Sequence, residues 1–261
     1  MFYYFGYGSN MNLTSLRVKG VNPVTSEKAS LSGWQLLFNV RHWFRHEGGM
    51  GNIRPCDDPS CIVKGVVHLI EDHELATMDI VEAYGVGYDR IEVEVQTESG
   101  PRLATCYVGI PVHLDDSCLP TQRYLNILVK GAMGASIDPE YVERLRTHPI
   151  YVRDPYPPFE HPAGSHPEFD AQTLSEHPLY TAVAGAVFDM KGARWEHEYL
   201  FDLFGGKDAS LFHLKRLDTS DGNETDADIR EDRLSPAQRA CLNAYLHEYN
   251  AEYRYVGRYR H

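Results

Sequence analysis

Apolar and polar positions in the first half of the chain follow patterns that predict mainly short strands. Apolar runs at 31–40 and 62–69 are bounded by turn residues, and residues 89–97 alternate charged with apolar side chains. That alternation predicts a strand with one face in water. The sequence ESGP supplies a turn to an expected partner strand at 103–110, and the aromatic residues 1–8 predict a further strand that ends in a turn.

Three segments of the same half have apolar residues at helical spacing. They lie at 73–83, 121–133 and 139–145. The last is preceded by Asp138, a good N-cap, and has Pro139 at its first position. Strands and helices together predict an α+β domain at 1–150.

The second half of the chain changes character twice. Residues 151–178 are rich in proline and are predicted to be a linker or a wrapping arm. Residues 179–261 are predicted to be a second α+β unit, with a pair of strands around Gly185 and a helix over 235–257. The acidic, polar stretch at 218–228 is predicted to be a flexible loop.

Composition and charge narrow the classes of function. The 261 residues are 43% hydrophobic and 24% charged, as is usual for a globular protein. The net charge of −12 disfavours binding to nucleic acids and to anionic membranes. The sequence contains no run of 18 apolar residues, and MFYYFGYGSN lacks the features of a signal peptide. We therefore expect a cytoplasmic protein.

Cysteine and histidine residues give only weak signals for a metal site. An odd number of cysteines favours reduced thiols in a cytosolic compartment; they are Cys56, Cys61, Cys106, Cys118 and Cys241. The first two lack the second pair that a zinc site needs, which favours unbonded loop thiols. Four histidines directly precede prolines, which favours a turn-forming arm over a metal site; they are His148, His161, His166 and His177. We expect no metal.

Two segments are candidates for chemistry. The turn YFGYGSNM at 4–11 exposes backbone N–H groups, which suit a carboxylate or an oxyanion, although an ordinary tight turn explains it as well. In MDIVEAYGVGYDR, Glu82 ends a predicted helix among apolar neighbours and precedes a glycine-containing turn. A carboxylate held there can act as a general base, and a solvated glutamate is the alternative.

In combination, these segments resemble the γ-glutamylcyclotransferase-like (AIG2-like) family. YGSN, GWQLLFN, GVVHLI, MDIVEAYGVGYDRIEVEV and PTQRYLNILVKGA occur in the expected order, and the resemblance covers most of residues 2–150. The resemblance implies a small β-barrel with flanking helices and a pocket at one end. It also implies an enzyme without metal or organic cofactor that acts on a small γ-glutamyl substrate and releases 5-oxoproline and an amine.

The resemblance implies roles for individual residues. Glu82 matches the catalytic base. The residues that match substrate-binding positions are Tyr4, Phe5, Gly6, Tyr7, Gly8, Ser9, Asn10, Tyr88 and Tyr124. Arg41 and Arg45 are candidates to bind an acidic part of the substrate, and ion pairs with surface carboxylates explain them equally well.

Residues 179–261 resemble cytochrome b5-like haem/steroid-binding domains, through TAVAGAVFDM, FGGKDAS and LSPAQ…YRYVGRY. The His-Pro-Gly-Gly ligand motif of cytochrome b5 is absent, and Phe201 stands where the resemblance implies an axial tyrosine. Phenylalanine cannot ligate iron, so we expect no haem, with Tyr199, His197 and His213 as remaining candidate ligands. An accessory domain that supports the pocket, a partner or a homodimer is the expected role.

Two other classes of function compete with the cyclotransferase. One is a hydrolytic or acyl-transfer enzyme that uses the same pocket. The other is a non-catalytic module that binds haem or a hydrophobic small molecule. The reaction product separates the two enzymes, because cyclisation gives 5-oxoproline and hydrolysis gives glutamate.

Overall fold

The computed structural model describes all residues from 1 to 261, and the chain forms two compact units. The first comprises Met1–His42 and Glu47–Val152, and the second comprises Trp43–His46 and Arg153–His261. Four residues from the N-terminal half therefore belong to the second unit. So does the proline-rich segment from Arg153 onward, which the sequence assigns to a linker. None of the helices combines the length and the apolar character needed to cross a membrane.

Seven strands and four α-helices build the first unit. In chain order they are β1 (Phe2–Gly6), α1 (Leu13–Val18), β2 (Thr25–Ser32), β3 (Trp34–Arg41), β4 (Gly49–Pro55), β5 (Ile62–Ile70), α2 (Leu75–Val81), β6 (Tyr88–Thr97), β7 (Gly100–Gly109), α3 (Gln122–Gly134) and α4 (Pro139–Arg146). Five strands close a barrel in the order β1-β5-β2-β6-β7, and β3 and β4 form a separate two-stranded sheet. The expected small barrel with flanking helices is confirmed.

The barrel forms because its strands alternate between a buried and an exposed face. In β6, Val93 and Val95 are buried while Glu92 and Glu94 are exposed, and the full strand pairs with β7 in antiparallel register. The barrel closes because Tyr4 of β1 pairs in parallel with β7, while the same strand runs antiparallel to β5.

Helix α3 fixes the turn that follows β1. Thr121 caps its start by accepting a hydrogen bond from the Tyr124 N–H, and Leu125 and Leu128 are fully buried. A Cβ atom on Gly131 would lie only 2.6 Å from the Asn12 backbone nitrogen. A glycine is therefore required for this close approach.

Two sequence predictions for the first unit need correction. The predicted strand at 31–40 is interrupted at Gly33, whose φ of +77° turns the chain between β2 and β3. Strand β4 was not predicted, because its glycines resemble a loop. It forms because it pairs in antiparallel register with β3, the preceding strand in the chain.

The expectation that the cysteines are all reduced is wrong for one pair. Cys56 and Cys61 form a disulfide with an S–S distance of 2.08 Å, while Cys106, Cys118 and Cys241 are free thiols. The two bonded residues flank the turn at Gly33. The Cys56 N–H donates to the Gly33 carbonyl, and the Gly33 N–H donates to the Cys61 carbonyl. This pairing holds both cysteines beside one turn.

Five strands and five helices build most of the second unit. They are β8 (Glu168–Phe169), α5 (Ala171–Ser175), β9 (Tyr180–Val183), β10 (Ala186–Asp189), α6 (Tyr199–Phe204), β11 (Lys207–Asp208), α7 (Ser210–Lys215), α8 (Asp226–Arg230), α9 (Pro236–Glu252) and β12 (Arg254–Tyr259). The strands form one sheet in the order β11-β9-β10-β12-β8. The predicted strand pair around Gly185 is β9 and β10.

The end of the long helix and the acidic loop differ from the prediction. Helix α9 ends at Glu252 rather than at residue 257, because the following residues pair with β10 as β12. Within the predicted flexible loop, Thr225 caps α8 together with Asp228. Long-range pairing overrides the helical spacing in the first case, and a local capping motif creates a short helix in the second.

Phe44, in the segment Trp43–His46, lies in the core of the second unit. Phe44 is 3% exposed and stacks on Tyr249 with ring centroids 5.1 Å apart. The Glu248 carboxylate accepts hydrogen bonds from the backbone N–H groups of Arg45 and His46. Burial and hydrogen bonding together anchor this segment.

Candidate active site

Glu82 is the C-cap residue that directly follows α2, and its side chain is 14% exposed. Its Oε1 atom accepts a hydrogen bond from Asn10 Nδ2 at 2.9 Å and one from Lys19 Nζ at 2.9 Å. The next residue, Ala83, has a φ of +50° and starts the turn into β6. The two segments that the sequence marks as candidates therefore meet at this carboxylate.

The turn after β1 is a short 3-10 helix, Ser9–Met11, that presents Asn10 to Glu82. The Met11 N–H donates to the Gly8 carbonyl at 3.1 Å. Asn10 Nδ2 also donates to the Tyr4 hydroxyl at 2.6 Å. Asn10 is therefore held from two sides, because its amide bonds both a strand residue and the carboxylate.

His68 supports this turn from β5. Its Nε2 lies 2.9 Å from the Asn10 backbone carbonyl, and its Nδ1 lies 2.8 Å from Ser26 Oγ. Because the carbonyl can only accept, Nε2 carries the proton and the Ser26 hydroxyl donates to Nδ1. Burial lowers the pKa of His68 to about 4, so the ring is neutral at pH 7.

Five tyrosines form the wall around Glu82 and the turn, and three of them are fixed by hydrogen bonds to the backbone. The Tyr88 hydroxyl donates to the Gly51 carbonyl at 2.9 Å, and the Gly51 N–H donates to the Tyr124 hydroxyl at 3.0 Å. The Tyr7 hydroxyl donates to the Tyr107 carbonyl at 2.6 Å. These bonds tie the rings to the backbone of β4 and β7, which gives the wall a fixed shape.

The pocket enclosed by these groups has a volume of about 30 Å³. Its lining residues are Tyr4, Tyr7, Gly8, Ser9, Asn10, Gly51, Glu82, Tyr88, Tyr107 and Tyr124. That volume is far below the several hundred Å³ that is typical of ligand pockets.

Most of the substrate-binding residues that the resemblance implies line this pocket, but Phe5 and Gly6 do not. Phe5 points to the opposite face of β1 from Tyr4 and is fully buried in the barrel core. Gly6 packs against the Asn10 backbone, where a Cβ atom would lie 3.2 Å away. Arg41 does not line the pocket either, and Arg45 belongs to the second unit.

Sequence reasoning missed Lys19, Gly51 and Tyr107. The only local signal for Lys19 is a cation between the apolar positions Leu16 and Val21. The Tyr107 hydroxyl donates to Asp79 Oδ1 at 2.8 Å, and burial together with this hydrogen bond raises the pKa of Tyr107. Tyr107 therefore stays protonated at any pH relevant to catalysis.

Burial and the neighbouring carboxylate keep a second phenol neutral. Burial raises the pKa of Tyr4 well above its usual value, and the charge of Glu82 raises it further. Both tyrosines are thus hydrogen-bond donors or acceptors rather than bases. Glu82 is the carboxylate that lines this pocket and is therefore its candidate base.

The first unit is similar to the AIG2-like family and to a γ-glutamyl cyclotransferase. The model of the AIG2-like family matches residues 62–145. A γ-glutamyl cyclotransferase, gliK of Claviceps purpurea (strain 20.1), is 28% identical over 138 residues, which cover 50% of this chain and 62% of that protein. The chain thus spans less than two thirds of the length of this relative.

Two solved structures share the fold of the first unit. One is an uncharacterized protein from Homo sapiens, with a TM-score of 0.51, 24% identity, and coverage of 59% of this chain and 90% of that chain. The other is a γ-glutamyl cyclotransferase, with a TM-score of 0.51, 24% identity, and coverage of 57% and 89%. The closed five-stranded barrel with flanking helices is therefore the fold of a γ-glutamyl cyclotransferase.

The resemblance of residues 179–261 to cytochrome b5-like domains stays a prediction. Among the candidate haem ligands, His197 Nδ1 lies 2.7 Å from the Tyr253 hydroxyl, and His213 Nε2 lies 2.8 Å from the Tyr249 hydroxyl. Both histidines are buried, and Phe44 packs against the His197 ring. His197 does not fit axial ligation of a haem, because one ring nitrogen bonds the Tyr253 hydroxyl and the other accepts from the Arg194 guanidinium at 3.0 Å. His213 is buried with its Nε2 committed to the Tyr249 hydroxyl.

Proposed function

We propose that the first unit is a γ-glutamylcyclotransferase that releases 5-oxoproline and a free amine or amino acid from a γ-glutamyl amide. The observation that supports this most directly is the carboxylate of Glu82, which faces the turn at Ser9–Met11 through the 2.9 Å bond from Asn10. The relationship of the first unit to γ-glutamyl cyclotransferases supports the same reaction.

The reaction needs a base because the substrate's α-amine is mostly protonated near pH 7. Glu82 takes a proton from this amine, and the freed electron pair attacks the γ-carbonyl carbon to close a five-membered ring. The bond to the leaving nitrogen then breaks as Glu82 passes protons to it. The attacking nitrogen loses two protons overall and the leaving nitrogen gains two, so the balance closes with Glu82 as the carrier.

The nucleophile belongs to the substrate, so the protein needs no reactive serine or cysteine. Its main task is to hold the glutamyl chain folded, with amine and carbonyl in contact, which lowers the barrier by about 7–11 kcal/mol in well-oriented systems. The tied-down wall of Tyr88 and Tyr124 serves this purpose.

Backbone N–H groups of the turn donate hydrogen bonds to the negative charge that develops on the carbonyl oxygen, or to the substrate's α-carboxylate. Ser9 and Asn10 are the first residues of the short helix, whose initial N–H groups lack acceptors within the helix. Loss of one such donor typically costs about 2.7–4 kcal/mol of transition-state stabilisation.

The test is 5-oxoproline release from a panel of γ-glutamyl amino acids by the Glu82→Gln variant. Removal of the base lowers turnover by about 100- to 10,000-fold, while the amide keeps the side chain's shape. Glu94→Gln, on the exposed face of β6, is the matched control and keeps wild-type turnover. Near-wild-type activity of Glu82→Gln contradicts the proposal, and glutamate as the product identifies a hydrolase instead.

A further inference from the structure

We propose that Lys19 is a positioning residue that keeps Glu82 ionised before the reaction and favours onward transfer of the proton to the leaving nitrogen. This inference rests on the proposed function, since it assigns a role within the same reaction. Lys19 lies outside the sequence motifs described above.

The position of Lys19 is set by α1, which ends at the preceding residue. The Lys19 N–H donates to the Leu16 carbonyl at 3.1 Å, and cations are favoured at this end of a helix. From there its Nζ lies 2.9 Å from Glu82 Oε1 and 2.8 Å from Asn10 Oδ1. The ammonium is therefore shared between the base and the residue that orients the base.

The pair is largely removed from water, which strengthens its electrostatic effect. The Lys19 side chain is 6% exposed and that of Glu82 is 14% exposed. When Glu82 becomes protonated, the ammonium loses its counter-charge at a site that is largely removed from water. The protonated form of Glu82 is thus costly, which favours both an ionised base at the start and rapid release of each proton afterwards.

Both hydrogen bonds described for Glu82 fall on the same oxygen. Asn10 and Lys19 both bond Oε1, and in this proposal Oε2 accepts the substrate's proton. The ammonium therefore acts on the base electrostatically without blocking the atom that reacts.

Other ionisable groups around Glu82 do not replace this charge. Tyr4, Cys106 and Tyr107 stay neutral because burial and nearby acidic charge raise the pKa of each. On α2, Asp79 pairs with Arg90 at 3.4 Å, which offsets the two charges within that pair.

The histidine behind the turn does not supply the charge either. Burial lowers the pKa of His68 to about 4, so this ring is uncharged over the working range. Lys19 remains the cation in direct contact with the base.

The experiment compares Lys19→Met and Lys19→Arg with wild type across pH 4–9, using kcat/KM for a γ-glutamyl substrate. Removal of the charge moves the acid limb of the Lys19→Met profile upward by about 1–3 pH units, because an opposite charge at this distance typically has an effect of that size. Lys19→Arg keeps the charge and keeps the limb within about half a unit. Lys28→Met, at an exposed pair with Glu98, is the control and leaves the profile unchanged.

An acid limb of Lys19→Met at the wild-type position overturns the inference. If that variant does not fold, a shifted limb in Lys19→Arg overturns it, because that variant retains the charge. Carbon-13 NMR titration of the Glu82 carboxyl group in Lys19→Arg and Lys19→Met gives a readout independent of turnover. Absence of 5-oxoproline from wild type refutes the proposed function alone, whereas an unchanged carboxyl titration in Lys19→Met refutes the role of Lys19.

Discussion

Phe44 offers a direct test of whether four residues from the N-terminal half stabilise the second unit. The change is Phe44→Ala. In the structure this ring stacks on Tyr249 and meets Tyr245 and His197 edge-on, with centroids 5.6 and 5.5 Å away. The substitution removes the ring and leaves the backbone of the segment in place.

The expected loss of unfolding free energy follows from the surroundings of the ring. Truncation of a buried phenylalanine to alanine typically costs about 3–5 kcal/mol, and less where neighbours collapse into the cavity. Here the neighbours are restrained, because the Tyr249 hydroxyl bonds His213 and the Tyr253 hydroxyl bonds His197. We therefore expect a loss in the upper part of that range.

The assay is urea unfolding combined with hydrogen exchange read by mass spectrometry. In Phe44→Ala, peptides from α9 (Pro236–Glu252) lose protection, and the unfolding midpoint of the second unit falls. Trp195→Ala, at a large side chain that is 53% exposed, is the control and changes stability by no more than about 0.5 kcal/mol. A loss below about 1 kcal/mol in Phe44→Ala, or unchanged protection of α9, refutes the reasoning.

Two further predictions concern pH and reduction. His68 takes up a proton near pH 6.5 in the unfolded state but only near pH 4 in the folded state. Its neutral form therefore contributes fully to the unfolding free energy above pH 6.5. As the pH falls towards 4, the unfolded state is protonated first, and the unfolding free energy drops by about 3 kcal/mol. In His68→Gln the unfolding free energy falls less steeply over this pH range. The remaining fall is due to His197, because burial lowers its pKa to about 4 as well. An equally steep fall in the variant contradicts the assignment to His68. Reduction of the Cys56–Cys61 disulfide, which closes a short loop, lowers the unfolding free energy by about 2 kcal/mol in chemical denaturation, and a Cys56→Ser, Cys61→Ser variant shows the same loss without reductant. Equal stability of the oxidised and reduced proteins shows that the loop closure is without effect.

The features that local sequence determined are those whose cause lies within a few residues. The alternation at 89–97 is sufficient for β6, since each side chain's face follows from its neighbours along the strand. Asp138 and Pro139 start α4 where predicted, because the cap satisfies backbone groups only three residues away. The position of Glu82 at the end of a helix was also predictable, because helical spacing precedes it in the sequence and a glycine-containing turn follows it.

The tertiary structure alone decided which distant residues meet. Lys19 and Glu82 are 63 positions apart, and no local pattern links a cation after α1 to a carboxylate after α2. The sequence around Phe44 does not indicate burial, but in the folded chain this residue packs in the aromatic core of the second unit. The helical spacing predicts a helix that continues to residue 257, but the residues after Glu252 form β12, which pairs with β10. Periodicity and capping depend on interactions between residues that are close in the sequence. The contacts named here depend on packing and hydrogen bonding that exist only once the whole chain has folded.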